Sequence, residues 1–125
     1  MTNLTRERNF ELLRLILLEI ESSHPNQVIK NLNIEGYDET IIILHVEILK
    51  DNDYIEAEMM KTLGGNRGFL IKKILPEGYE FLDNAKNDNI WKKFKAQAER
   101  KGSSMSMAVA NGLLTAAAKK WFELD

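Results

Sequence analysis

Residues 34–57, IEGYDETIIILHVEILKDNDYIEA, and residues 69–95, FLIKKILPEGYEFLDNAKNDNIWKKFK, enclose a Gly64-Gly65-Asn66-Arg67-Gly68 turn and decide how this chain folds. Asp38 is a good helix N-cap, and Tyr37 before it is placed to staple onto Ile42. The spacing predicts a helix over 38–52, whose aliphatics run from Ile41 to Leu44 and on through Val46, Ile48 and Leu49. Residues 54–60 and 69–74 read as two strands, joined by 61–68, whose glycines permit the positive φ angles of a hairpin tip. Pro76 suits the first turn of a following helix, with Tyr79, Phe81, Leu82 and Ala85 as its apolar positions. Helix, strand, hairpin, strand, helix is the working half of a winged helix.

The flanks extend this frame. Phe10, Leu13, Ile16, Leu17 and Ile20 recur at helical spacing, so an amphipathic helix is expected from about residue 6 to 22, with Thr5 or Asn3 as its cap. Residues 27–34 read as a short strand or extended run, with one helical turn as the alternative. Beyond the interruption at Asn87-Asp88-Asn89, a helix carries Ile90, Trp91 and Phe94. Gly102 breaks the chain, and a last helix follows over 104–123, capped by Ser103 or Ser104. The fold class is α+β and mostly helical: one domain over 1–125, with a winged-helix-like core at 5–86 and a C-terminal helical extension at 89–125.

At 125 residues, 44% hydrophobic and 29% charged, the chain has the composition of an ordinary globular protein. It has no cysteine, which excludes disulfides, thiolate metal sites and cysteine nucleophiles and fits a reducing cytosol. Arg6, Glu7, Arg8 and Glu11 stand where a signal peptide needs an apolar stretch, and no run of residues suits a membrane span, so a cytoplasmic protein is expected. The net charge of −2 hides an asymmetry: residues 1–60 hold 5 Lys/Arg against 12 Asp/Glu, and residues 61–125 hold 12 against 7. The second half is the electrostatic face for a nucleic acid, unless the two halves serve to attract each other or a second copy.

Gly36-Tyr37 opening a helix that contains His45 and Leu49, then Ile55-Glu56-Ala57, then Gly78-Tyr79-Glu80-Phe81-Leu82-Asp83 followed by Asp88 and Trp91, form one pattern with the short apolar helix after Gly102-Ser103. In this combination the chain resembles the family designated domain of unknown function 2513, small uncharacterised bacterial and phage proteins. The resemblance implies a winged-helix protein of the kind encoded on phages or mobile elements, and it implies no activity. Tyr79 stands where such proteins often have histidine, and Leu75-Pro76 replaces a threonine-led helix start.

On this frame, helix 38–52 takes the recognition position, with Thr40, Ile43, Glu47 and Lys50 or Asp51 as its outward stripe. One cation among acids makes a poor groove reader, and the preceding helix of a full helix-turn-helix is hard to find. The wing is better equipped for phosphate, with Lys61, Asn66, Arg67, Lys72 and Lys73 around three glycines. The plainer reading is a solvated hairpin whose lysines protect an edge strand. A second basic cluster, Lys92, Lys93, Lys95, Arg100 and Lys101, lies beside Trp91 and Phe94, and it suits either a nucleic-acid backbone or a solvated outer face.

Ala108, Gly112 and Ala116, flanked by Met105, Val109 and Leu113, make a strip on which a second copy of the chain, a protein partner or its own domain can pack. The methionines Met59, Met60, Met105 and Met107 otherwise read as core filler. His45 sits among aliphatics with only His24 as company, so it reads as a packed, hydrogen-bonded histidine rather than a metal ligand. No carboxylate is paired with a nucleophile, and no catalytic residue, metal or cofactor is expected. Two functions follow: a DNA-associated regulator with backbone contacts from the wing, or a protein-interaction module that leaves duplex DNA alone.

Overall fold

The first helix opens at Asn9, whose extended backbone and side-chain oxygen, accepting from the Leu12 N–H at 3.0 Å, satisfy a donor that the first turn leaves without a helical partner. Helix α1 is therefore Phe10–Ser22, starting later than the apolar spacing suggests. In this computed structural model the described residues are 8–23, 26–61, 64–65, 67–101 and 105–123. The caps expected at Asn3 and Thr5 lie outside them, as do His24, Asn66 and Gly102 to Ser104. Replacing the actual cap, Asn9→Ala, is expected to cost about 1 kcal/mol, read as a Tm several degrees lower.

Residues 27–34 are extended, and Ile29 makes an isolated antiparallel bridge to Ile71 through two 2.9 Å backbone hydrogen bonds. Ile34 to Tyr37 turn with Gly36 at φ +92°, a conformation that favours glycine, and Asp38 then caps α2 (Glu39–Asp51) by accepting from the Ile41 N–H at 3.0 Å. Helix α2 ends in a Schellman motif, in which the N–H groups of Asp53 and Tyr54 donate to the Lys50 and Leu49 carbonyls. Asp53 occupies the left-handed position there, at φ 60°.

Strands β1 (Ile55–Lys61) and β2 (Arg67–Ile74) form the hairpin, each reaching closer to the tip than the sequence suggests. Their register slips between Glu56 and Ala57: Glu56 faces Lys73 and Ala57 faces Ile71, which leaves Lys72 as the extra residue of a bulge. The bulge resets the alternation, so Phe69, Ile71 and Ile74 are all buried while Lys72 and Lys73 are both exposed. With Ile29 on one side and β1 on the other, β2 is the centre of the hairpin sheet.

Helix α3 (Pro76–Ala85) starts at Pro76 as expected, but its buried face is Gly78, Phe81, Leu82 and Ala85. Tyr79, expected among its apolar positions, is 46% exposed. The spacing of three, four and seven that Phe81, Leu82 and Ala85 continue begins at Gly78, which puts Tyr79 on the flank. Helix α4 (Asp88–Lys101) is capped by Asn87, which accepts from the N–H groups of Asn89 and Ile90 at 2.9 and 3.0 Å. Helix α5 (Met107–Glu123) is capped by Ser106, whose hydroxyl accepts from the Val109 N–H at 3.2 Å.

The chain divides into two compact units within α3, at Tyr79 and Glu80, rather than at the Asn87 to Asn89 interruption. In the unit Asn9–Tyr79, α1 and α2 pack on each other and on the hairpin, burying Leu12, Leu13, Ile16, Leu17, Val46, Leu49, Ile55 and Ile71. In the other, α4 and α5 pack together, with Trp91 edge-on to Phe81 and close to Phe94, at ring-centre distances of 6.2 and 4.8 Å.

Candidate nucleic-acid interface

The bulge that turns Lys72 and Lys73 outward also sets them beside carboxylates. Lys72 Nζ lies 3.1 Å from Glu58 and 3.9 Å from Glu56, and Lys73 Nζ lies 3.8 Å from Glu56. Arg67 at the start of β2 reaches Glu47 on α2 at 2.8 Å, tying the hairpin to that helix. These side chains are partly exposed, so each pair contributes no more than about 1 kcal/mol to stability. Their effect on a ligand is larger in kind, because a phosphate at Arg67, Lys72 or Lys73 meets a carboxylate within the same few ångströms. Lys61 is exposed at the end of β1, and Met60 beside it is exposed too, so Met60 is not core filler, whereas Met105 and Met107 are buried.

On α2 the outward stripe differs from the expected one. Thr40 is exposed and Glu47 and Lys50 are half-buried, but Ile43 is only 8% exposed. Ile43 lies one turn before Val46 on the buried arc formed with Ile42, His45 and Leu49, and the run of four aliphatics hides that phase. The exposed side is Thr40, Leu44, Glu47 and Asp51, spaced four, three and four; Lys50, its neighbour, lies 3.9 Å from Asp51. Among the described residues 26–38 there is no helix, so the helix that precedes α2 is α1, across an extended connection rather than a tight turn. His45 is buried at 1% exposure, with Nδ1 2.9 Å from the Ile41 carbonyl oxygen and Nε2 2.9 Å from the Asn9 backbone nitrogen.

The second basic cluster is arranged differently. Ile90, Trp91 and Phe94 turn the apolar side of α4 inward, which leaves Lys92, Lys93, Lys95 and Arg100 exposed. The side chain of Lys101, in the last turn of α4, lies outside the described set. Lys93 Nζ stands 5.8 Å from the ring centre of Trp121 on α5. One turn further along α4, Gln97 joins Ala116, Ala117, Lys119, Lys120 and Glu123 of α5 around a shallow groove of about 360 Å³. Lys92, Lys93, Arg100, Lys119 and Lys120 make no ion pair with another described residue. Lys119 and Lys120 are absent from the sequence-derived cluster because their pairing with α4 exists only once the two helices pack.

The unit division sharpens the charge asymmetry. Residues 9–79 hold 7 Lys/Arg against 12 Asp/Glu, and the remainder hold 10 against 7. On α5, Ala108, Val109, Gly112 and Ala116 are exposed and Leu113 half-buried, whereas Met105 is buried and does not belong to that strip. Met105 precedes the helix, where its carbonyl oxygen accepts from Arg8 at 3.4 Å. Among the described residues, no three His, Cys, Asp or Glu side chains converge as metal ligands, and no helix is long and apolar enough to cross a membrane.

The sequence profile of a family described as "Hypothetical protein (DUF2513)" matches residues 7–104, and the chain belongs to that family. The chain is also similar to a Haemophilus influenzae protein described as uncharacterized, at 31% identity over 103 residues that cover 81% of this chain and 86% of the relative. No solved structure matches it.

Proposed function

We propose that this member of the DUF2513 family is a DNA-associated protein on a winged-helix-like scaffold, which holds the nucleic-acid backbone with the cations of α4 and α5 rather than reading a groove with α2. The order α1, the Ile29 bridge, α2 and hairpin supports the winged-helix comparison. The observation that carries the reading is the contrast in pairing. Arg67, Lys72 and Lys73 of the wing lie against Glu47, Glu56 and Glu58, while Lys92, Lys93, Lys119 and Lys120 face solvent with no ionic partner among the described residues. A cation already beside a carboxylate gains little from a phosphate, whereas a free one releases counterions from DNA without a competing charge. Association of this kind is weakly selective for sequence, because contacts to phosphate position a protein without reading bases.

Fluorescence anisotropy of a labelled duplex, titrated at low and moderate salt, tests it. Binding in the micromolar range that weakens with salt is expected. The variant Lys92→Ala/Lys93→Ala/Lys119→Ala/Lys120→Ala should lose at least about tenfold in affinity and flatten the salt slope by roughly one unit per phosphate contact removed. The wing variant Arg67→Ala/Lys72→Ala/Lys73→Ala should bind nearly as the parent does. Loss in the wing variant alone would return the contact to the hairpin.

The exposed strip Ala108, Val109, Gly112 and Ala116 favours a second reading, a protein-interaction module in which α5 docks a partner or a second copy. That reading predicts binding that survives the lysine changes and is lost in Val109→Asp.

A further inference from the structure

We infer that the end of the α4–α5 pair is a site for single-stranded rather than duplex DNA; this rests on the proposed contact with nucleic acid and names the form of it that the site takes. The first observation is aromatic exposure. Phe122 is 65% exposed, the most of any large hydrophobic side chain among the described residues, and Trp121 beside it is half-buried. The second is where these rings stand. Phe122 is one helical turn from Lys119, and Trp121 carries Lys93 of α4 over its ring at 5.8 Å.

Cations from two helices, Lys93 over Trp121 and Lys119 with Lys120 along the groove, therefore stand at the end of the α4–α5 pair whose last turn carries both rings. Cations that follow a backbone beside aromatic rings that accept unpaired bases are the parts from which sequence-tolerant single-strand sites are built. Gln97, Lys119 and Lys120 line a shallow groove of about 360 Å³ on the same last turns of α5 that carry the two rings, a place for the backbone of a strand whose bases reach them. A duplex keeps its base faces stacked inside, so an exposed phenyl ring gains nothing from it. A single strand offers those faces to Phe122, and burying a ring left in water gives the contact its driving force. Gln97 adds a neutral donor and acceptor within reach of a base edge. Glu123 shares the groove and opposes the phosphate, which makes it a lever for the test.

The test is anisotropy of the full chain with two labelled probes of about 15 nucleotides, an oligo(dT) strand and a duplex, at low and moderate salt. The single strand is expected to bind more tightly than the duplex and to quench tryptophan fluorescence. Phe122→Ala should weaken the single strand by about 5- to 150-fold while leaving the far-UV spectrum unchanged, since its side chain is mostly in solvent. Lys119→Ala/Lys120→Ala should weaken both probes, and Glu123→Gln should strengthen the single strand. Equal binding of the two probes with no response to Phe122→Ala overturns this inference and leaves the proposed function in place. Binding of neither probe at low salt overturns both.

Discussion

Gly78→Ala is expected to destabilise the protein by about 2 kcal/mol or more, the opposite of what the same change does on an open helix. Alanine is favoured over glycine in a helix interior by about 1 kcal/mol, so the propensity term alone predicts a gain. At Gly78 it is overruled. A Cβ there overlaps the Tyr54 carbonyl oxygen and stands 2.8 Å from Ile74 Cγ2 and 3.0 Å from the Tyr54 carbonyl carbon. The obstacle is backbone, and it is held. The Tyr54 carbonyl accepts from the Leu75 N–H at 2.9 Å, while the Tyr54 N–H closes the Schellman motif of α2. Helix α3 must then move off the hairpin or the α2–β1 turn must open, and overpacking of this kind costs about 1–3 kcal/mol, occasionally more. Thermal unfolding should show a fall of roughly 10 °C for Gly78→Ala. Gly112 on α5 supplies the control, since nothing lies within 4 Å of a Cβ built there. Gly112→Ala should raise stability by about 0.5–1 kcal/mol through propensity alone, so the two substitutions should move Tm in opposite directions.

Gly78 also shows which parts of this fold can be read from sequence. Local signals were legible: Asp38 as a cap, Pro76 as a helix start, the glycine-rich tip, and the two strands it joins. Each depends on residues within one turn or one strand of each other. Where the outcome depended on contacts between elements, the residues were ambiguous. Ile41 to Leu44 are four aliphatics in a row, and nothing in their order says which of them the hairpin will cover; Ile43 proved to be inside and Leu44 half-exposed. Tyr79 has the apolar bulk for a core and Gly78 has none, yet the closeness of Tyr54 makes glycine the residue that fits.

The candidate site follows the same division. A basic cluster on α4 is visible as Lys92, Lys93, Lys95 and Arg100, because one helix carries all four. The neutralisation of the hairpin cations is not visible, because Glu47 meets Arg67 across 20 positions of sequence and Lys72 meets Glu58 through a bulged register. One signal for the bulge was present. Two adjacent lysines inside a strand whose other residues alternate inward cannot both face solvent unless the alternation is interrupted at one of them, as it is at Lys72 between Ile71 and Ile74. Read that way, Lys72-Lys73 announces a distorted strand before it suggests a phosphate contact.

His45→Ala is expected to cost about 2–4 kcal/mol, the largest loss among single side chains that neither line the groove nor fill a purely apolar core. The reason is that the imidazole spans two helices with both nitrogens committed. The Asn9 backbone nitrogen is a donor and the Ile41 carbonyl oxygen is an acceptor, each 2.9 Å from the ring. Only the neutral tautomer with hydrogen on Nδ1 satisfies both, so the surroundings select one of three protonation forms. The bond to Asn9 anchors the residue that caps α1, and that cap sits where the sequence spacing would have allowed the helix to begin earlier. Alanine leaves a cavity at a position with 1% exposure and removes the acceptor for the Asn9 N–H. His45→Phe separates these effects, because it fills the space and still leaves the N–H without its partner; it should recover part of the loss and remain about 1–2 kcal/mol below the parent. Chemical denaturation of the two variants measures the difference, and imidazole ¹⁵N shifts of the parent should show protonated Nδ1 with bare Nε2. The opposite tautomer would separate α1 from α2 at this point, and with it the account of why α1 begins at Phe10.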